Sequence, residues 1–135
     1  MTSKVTVLEL GGNTASVVWA LERAGATPDV VDVDSDFSAS DRLVIPGQGH
    51  FGRVLERLEP GAEELSRFLT AGRPLLGICV GLQLLFEGSD EDPMVPGLGL
   101  VNGRVNRLVP NGASRVPHLG WTNVDSPLEW VPSGY

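Results

Sequence analysis

The chain's one cysteine, Cys79, stands in Pro74-Leu-Leu-Gly-Ile-Cys-Val-Gly-Leu-Gln-Leu-Leu-Phe-Glu87. Leu75, Leu76 and Ile78 form a short apolar run that reads as a buried strand. From Val80 to Glu87 the spacing becomes helical, with Leu82, Leu85 and Phe86 on one side. Cys79 therefore falls on a strand-to-helix turn, Gly77-Ile-Cys-Val-Gly81, the cysteine form of the G-x-S-x-G nucleophile elbow. Flanking glycines suit such a turn, where the backbone is strained and a side chain would crowd the nucleophile's approach. Free N–H groups and the dipole at a helix N-terminus favour thiolate over thiol. A free cysteine is more commonly a small buried hydrophobe; the turn on both sides of Cys79 favours the nucleophile.

A second segment belongs beside this turn. Pro46-Gly-Gln-Gly49 is a glycine-rich stretch after an apolar run, and it can turn a peptide N–H toward the oxygen of a tetrahedral intermediate. Together with the N–H of Val80 it would form an oxyanion hole. Gly47-Gln-Gly-His-Phe-Gly52 also matches G-x-G-x-x-G literally, but it follows the third strand, Pro46 disturbs the tight turn, and no strand-ending acid follows at the dinucleotide spacing. Asp32, Asp34 and Asp36 alternate like a calcium loop, yet Phe37 and Leu43 occupy the positions of the required glycine and glutamate. His118 has no metal-ligand partner at useful spacing. His50 follows the glycine-rich segment and could serve Cys79 as a general base, but nothing in the spacing aims it at the sulfur, so a loop histidine is the favoured reading. No metal or cofactor is expected.

The elements that must carry these residues alternate. Val5, Val7 and Leu8 mark a first strand ended by Gly11-Gly12-Asn13, and a helix runs from Thr14 to the stop at Gly25. Asp29 to Val33 and Leu43 to Ile45 are strands; Phe51 to Leu58 and Ala62 to Ala71 are helices; Pro74 to Ile78 is a fourth strand. Such a chain builds an α/β three-layer sandwich with a mainly parallel sheet and right-handed crossovers. Beyond Gly88, Ser89 to Pro93 reads as a polar turn, and 98–101, 104–108 and 121–124 as short strands. With 135 residues, 41% hydrophobic and 20% charged, this is one domain of ordinary globular composition. A net charge of -7, with Lys4 the one lysine, argues against nucleic acid or an anionic membrane as partner. Apolar runs of strand length, no signal-peptide pattern and a single cysteine point to a cytoplasmic protein.

Taken together, these strings resemble the glutaminase subunits of imidazole glycerol phosphate synthase, triad-type class I glutamine amidotransferases of histidine biosynthesis. Leu8-Glu-Leu-Gly-Gly-Asn13 is similar to the family's first strand and D-Y-G-x-G-N loop, one residue shorter. Ile45-Pro-Gly-Gln-Gly49 resembles L-P-G-V-G, with Gln48 in place of valine. Leu76 to Glu87 is close to G-I-C-L-G-M-Q-L-L-F, and 97–105 to G-L-G-L-I-x-G-x-V. Val116-Pro-His-Leu-Gly-Trp121 is similar to P-H-M-G-W, the string that separates these subunits from other triad amidotransferases; Thr122 stands where asparagine usually follows.

The resemblance implies a flavodoxin-like class I amidotransferase fold over residues 1–135. It implies that Cys79 attacks the carboxamide of glutamine, that Gly47, Gln48 and Val80 supply oxyanion N–H groups, and that Gly49 and Gln83 hold substrate. Ammonia would pass to a (β/α)8 cyclase partner met by the face bearing Asn13 and Trp121. The family's later strands and its H-P-E segment, with the base histidine and orienting glutamate, have no counterpart up to Tyr135, so a single incomplete domain is expected. A non-catalytic protein of this fold that docks on the cyclase, or a cysteine hydrolase sharing only the elbow, are the alternatives.

Overall fold

The computed structural model describes residues 3–112 and 115–129. Its first sheet holds four strands: β1 (Ser3–Glu9), β2 (Ala26–Asp32), β3 (Leu43–Ile45) and β4 (Leu75–Gly77), in the order β2-β1-β3-β4 and all parallel. Helix α1 (Thr14–Arg23) links β1 to β2, while α2 (Phe51–Leu58), a 3-10 turn (Glu59–Gly61) and α3 (Ala62–Thr70) link β3 to β4. The strand order reverses direction at β1. Right-handed crossovers must then place α1 on one face of the sheet and α2–α3 on the other.

The burial pattern follows from strand periodicity. Val5, Val7 and Val44 pack with Val17, Leu21 and Ala26 on the α1 side. Leu8, Leu43 and Ile45 point the opposite way, into the main core with Phe37, Phe51, Val54, Leu58, Leu65 and Phe68. Each such side chain taken fully from water contributes about 1.5–3 kcal/mol. Asn13 starts α1 by accepting the Ser16 N–H on Oδ1 at 3.2 Å, and Gly25, at φ +81°, ends it.

The chain departs from the sequence expectation after the elbow. The helix expected over 80–87 is only α4 (Val80–Gln83), and Phe86–Ser89 is a strand, β5. The helical ladder fails after Leu84: Leu84 N still donates to Val80 O, but Leu85 N donates to Leu82 O, and the carbonyls of Leu84, Leu85 and Phe86 accept from Leu98 N, from Leu100 and Val101 N, and from Gly99 N. The polar segment Ser89 to Pro93 is the tip of a hairpin, because β6 (Asp92–Pro96) returns antiparallel to β5. Strand β7 (Val101–Val105) lies parallel to β5 on its other side and completes a second, three-stranded sheet. Residues 98–100 and 106–108 are not strand, and 121–124 contributes only a bridge residue, Val124. The terminal string Pro132 to Tyr135 lies outside the described residues.

Strand β4 ends the described parallel sheet, and its Leu76 is 53% exposed on the side opposite Leu75. The core side chains and this one should therefore respond differently to truncation. Leu8→Ala is expected to destabilise the fold by about 2–5 kcal/mol in urea unfolding, while Leu76→Ala costs less than about 1 kcal/mol.

Candidate active site

All the candidate residues of the parallel sheet leave from its carboxyl edge, where open α/β sheets bind ligands at the point of strand reversal. Strand β1 leads into Leu10 to Asn13, β3 into Pro46 to Gly49, and β4 into Cys79. Among the described residues Cys79 is the sole non-glycine with positive φ, at φ 57° and ψ -120°. Its side chain is exposed, so it is not the buried hydrophobe that free cysteines commonly are. Held in a backbone region that costs of order 1–3 kcal/mol, it has the geometry of a nucleophile elbow.

The glycines at the turn are also set by packing. A Cβ on Gly81 would fall on the carbonyl of Ile45, and one on Gly77 would lie 2.6 Å from the Leu82 Cα. Backbone-to-backbone packing requires glycine at both positions. Ile78 N donates to Ile45 O at 3.0 Å and Gly81 N to Ile78 O at 3.0 Å, which locks the turn onto the end of β3. Because α4 is one turn long, its dipole lends a thiolate less support than a full helix would.

Gly47 meets this turn directly. A Cβ there would lie 2.7 Å from Gly81 N and 3.1 Å from the Val80 Cβ. The N–H groups of Val80 and Gln48 make no hydrogen bond among the described residues. Gly49, at φ +116°, has open space where a side chain would be, so the segment can turn there. Gln48 is exposed and its Cβ fills the space beside Gly12, across the point of strand reversal. Arg57 fixes the neighbouring loop by donating to Leu10 O at 2.9 Å. The structure thus brings together Cys79, Val80, Gly47 and Gln48.

Gln83 is tied to Cys79 through its N–H, which donates to Cys79 O at 3.2 Å. Its side chain lines a cavity of about 450 Å³ with Ser89, Asp90, Glu91, Asn106 and Arg107. Cys79 does not itself line this cavity. Sequence reasoning missed Glu91 as a site residue because it fell in a stretch read as a surface turn; the clue lay in a hairpin placing that turn against α2. A slightly larger apolar groove, about 490 Å³, lies between α2, α3 and Leu98–Leu100 and holds none of these groups.

The remaining candidates lie apart. His50 precedes α2, with Nδ1 4.0 Å from Asp92 Oδ2, and makes no hydrogen bond to Cys79. His118 is exposed. Asn13 is occupied as the cap of α1, and Trp121 is 96% exposed; among the described residues no hydrogen bond joins them. Asp36 is taken by Ser38, whose hydroxyl donates at 2.7 Å and whose N–H donates at 3.1 Å, and these bonds, the hydroxyl first, hold its carboxyl below its ordinary value. Among the described residues no cluster of three His, Cys, Asp or Glu could hold a metal, and no helix is long and apolar enough to cross a membrane.

The family described as glutamine amidotransferase class-I matches residues 6–123. The chain belongs to the class I glutamine amidotransferase family. Among curated relatives, the chain is 48% identical to imidazole glycerol phosphate synthase subunit HisH of Deinococcus radiodurans, covering 93% of this chain and 61% of that protein. It is 40% identical to imidazole glycerol phosphate synthase hisHF of Emericella nidulans over 87% of this chain and 22% of that protein. The chain spans about three fifths of the length of the HisH relatives it matches. A solved structure described as a glutamine amidotransferase superposes with a TM-score of 0.69 at 24% identity, covering 88% of this chain and 62% of that one, which bears out the α/β fold.

The packing of the elbow is testable. Gly81→Ala should displace the turn from Ile45 and lower the urea midpoint by the equivalent of about 2 kcal/mol or more, whereas Gly49→Ala, with open space and only φ to contend with, should cost about 1 kcal/mol.

Proposed function

We propose that this chain is the glutaminase part of an imidazole glycerol phosphate synthase. It would hydrolyse glutamine through a Cys79 thioester and deliver the ammonia to a (β/α)8 cyclase that forms imidazole glycerol phosphate and AICAR. One observation carries the reading: Cys79 is held at positive φ on an elbow against Gly47, one helical turn from Gln83 and its cavity. Membership of the amidotransferase family and identity to HisH relatives support it.

The chemistry follows from the geometry. The sulfur adds to the carboxamide carbon, and the developing oxyanion meets the N–H of Val80 and of the Gly47–Gln48 segment. As the tetrahedral species collapses, the C–N bond breaks, the nitrogen takes a proton and ammonia leaves. Water then cleaves the thioester to glutamate. The cavity suits an α-amino acid, since Asp90 and Glu91 can receive its ammonium, Arg107 its carboxylate, and the Gln83 amide can hydrogen-bond the chain. His50, whose Nδ1 lies 4.0 Å from Asp92 Oδ2 at the start of α2, makes no hydrogen bond to Cys79 that would suit it to carry this proton. The resemblance assigns that role to the histidine of an H-P-E string, which this sequence does not contain.

A glutamine-derived diazoketone should alkylate the chain at one site, free glutamine should slow it, and Cys79→Ser should abolish it. Labelling that survives Cys79→Ser, or that glutamine leaves unchanged, would contradict the assignment.

The partner reading rests on the relatives' names and on Trp121. An indole left 96% exposed is apolar surface suited to burial in an interface. Trp121→Ala is expected to weaken binding to the cyclase about tenfold or more in a titration, and unchanged affinity would remove Trp121 from the interface.

A further inference from the structure

We propose that Glu91 is a positioning residue that couples the amino-acid cavity to the Gly47–Gly49 segment. This rests on reading that segment as part of the oxyanion hole. Helix α2 begins two residues after Gly49, and its first N–H groups have no partner within the helix. His50, at the cap, contributes no side-chain bond to them. The fully buried Phe51 is the first helical residue, and its N–H donates to Glu91 Oε2 at 2.7 Å, from the hairpin tip forty residues on. A carboxylate at this position complements the helix dipole, and a bond to an ionised acceptor is among the stronger kind.

The tip grips α2 by more than this one bond. The Asp92 carboxylate occupies the space a side chain at Gly52 would need. Glu91 is itself oriented, because its N–H donates at 3.1 Å to the Oγ of the buried Ser89. The candidate oxyanion segment is thus anchored at both ends. Gly47 is pressed on Gly81 and Val80, and Phe51 is held by Glu91, with the open joint Gly49 between them. The same Glu91 lines the cavity beside Gln83. A ligand ammonium drawn to that carboxylate therefore acts on the anchor that sets the turnable peptide at Gly49.

Two measurements on Glu91→Ala and Glu91→Gln test this. In amide hydrogen exchange, Glu91→Ala should speed exchange across residues 47–52 by roughly tenfold, leaving β1 and α3 as they were. Glu91→Gln, which can still accept from Phe51, should retain most of the protection. Unchanged exchange at 47–52 in Glu91→Ala would overturn the proposal. In inactivation by the glutamine diazoketone, Glu91→Ala should lower the saturating rate as well as the apparent affinity, while alkylation by iodoacetamide keeps its rate. Loss confined to affinity would also overturn it, leaving Glu91 as a wall of the cavity only. If the parent chain reacts with iodoacetamide but resists the diazoketone, the glutamine reading fails, and the exchange result still decides whether Glu91 anchors the segment.

Discussion

The approach of Gly81 to the carbonyl of Ile45 is the contact on which the arrangement depends. It lets the first turn of α4 sit on the end of β3, so the chain must pass from β4 to α4 through one residue of unusual backbone geometry. That residue is Cys79. Its positive φ is sustained because both sides are fixed, Ile78 by its bond to Ile45 O and Val80 by burial in the core. A cost of order 1–3 kcal/mol at one residue is offset by packing Val80 and Leu84 under the sheet edge. The strain belongs to the site, and the core keeps it there.

The parallel sheet then decides what faces the cysteine. Because the strand order reverses at β1, the turns after β1 and β3 meet at the carboxyl edge, and Gln48 packs on Gly12 across the gap. The peptide segment beside the Cys79 turn is therefore in contact with the loop that carries Asn13. The second sheet closes the other side. Its hairpin tip supplies carboxylates both to the cavity and to the start of α2, which turns a region without a strand in the parallel sheet into a wall of the site.

The parallel half of this fold was legible because it obeys simple periodicities. Val5, Val7, Leu8 and the run Leu43 to Ile45 announce strands, and the elbow places Cys79 without any knowledge of contacts. The extent of α4 was not legible. Leu82, Leu85 and Phe86 have helical spacing, but Leu85 N turns to Leu82 O and the carbonyls of Leu84 to Phe86 are tied to Leu98 to Val101, long-range bonds that local pattern does not encode. Glu91 escaped for a related reason: a charged residue in Ser89 to Asp92 looks like solvated turn until a hairpin brings it to Phe51. The reason for Gly81 was likewise visible only in three dimensions.

The most direct measurement of the central claim is the intact mass of the chain after mixing with a γ-glutamyl 4-nitrophenyl ester and quenching in acid, followed by peptide mapping. An elbow thiol facing oxyanion donors should displace nitrophenolate, which leaves without taking a proton, and carry one γ-glutamyl group, acid-stable and mapped to Cys79. Absence of the adduct from a folded chain whose thiol still reacts with iodoacetamide, or its location on any other residue, would contradict the account.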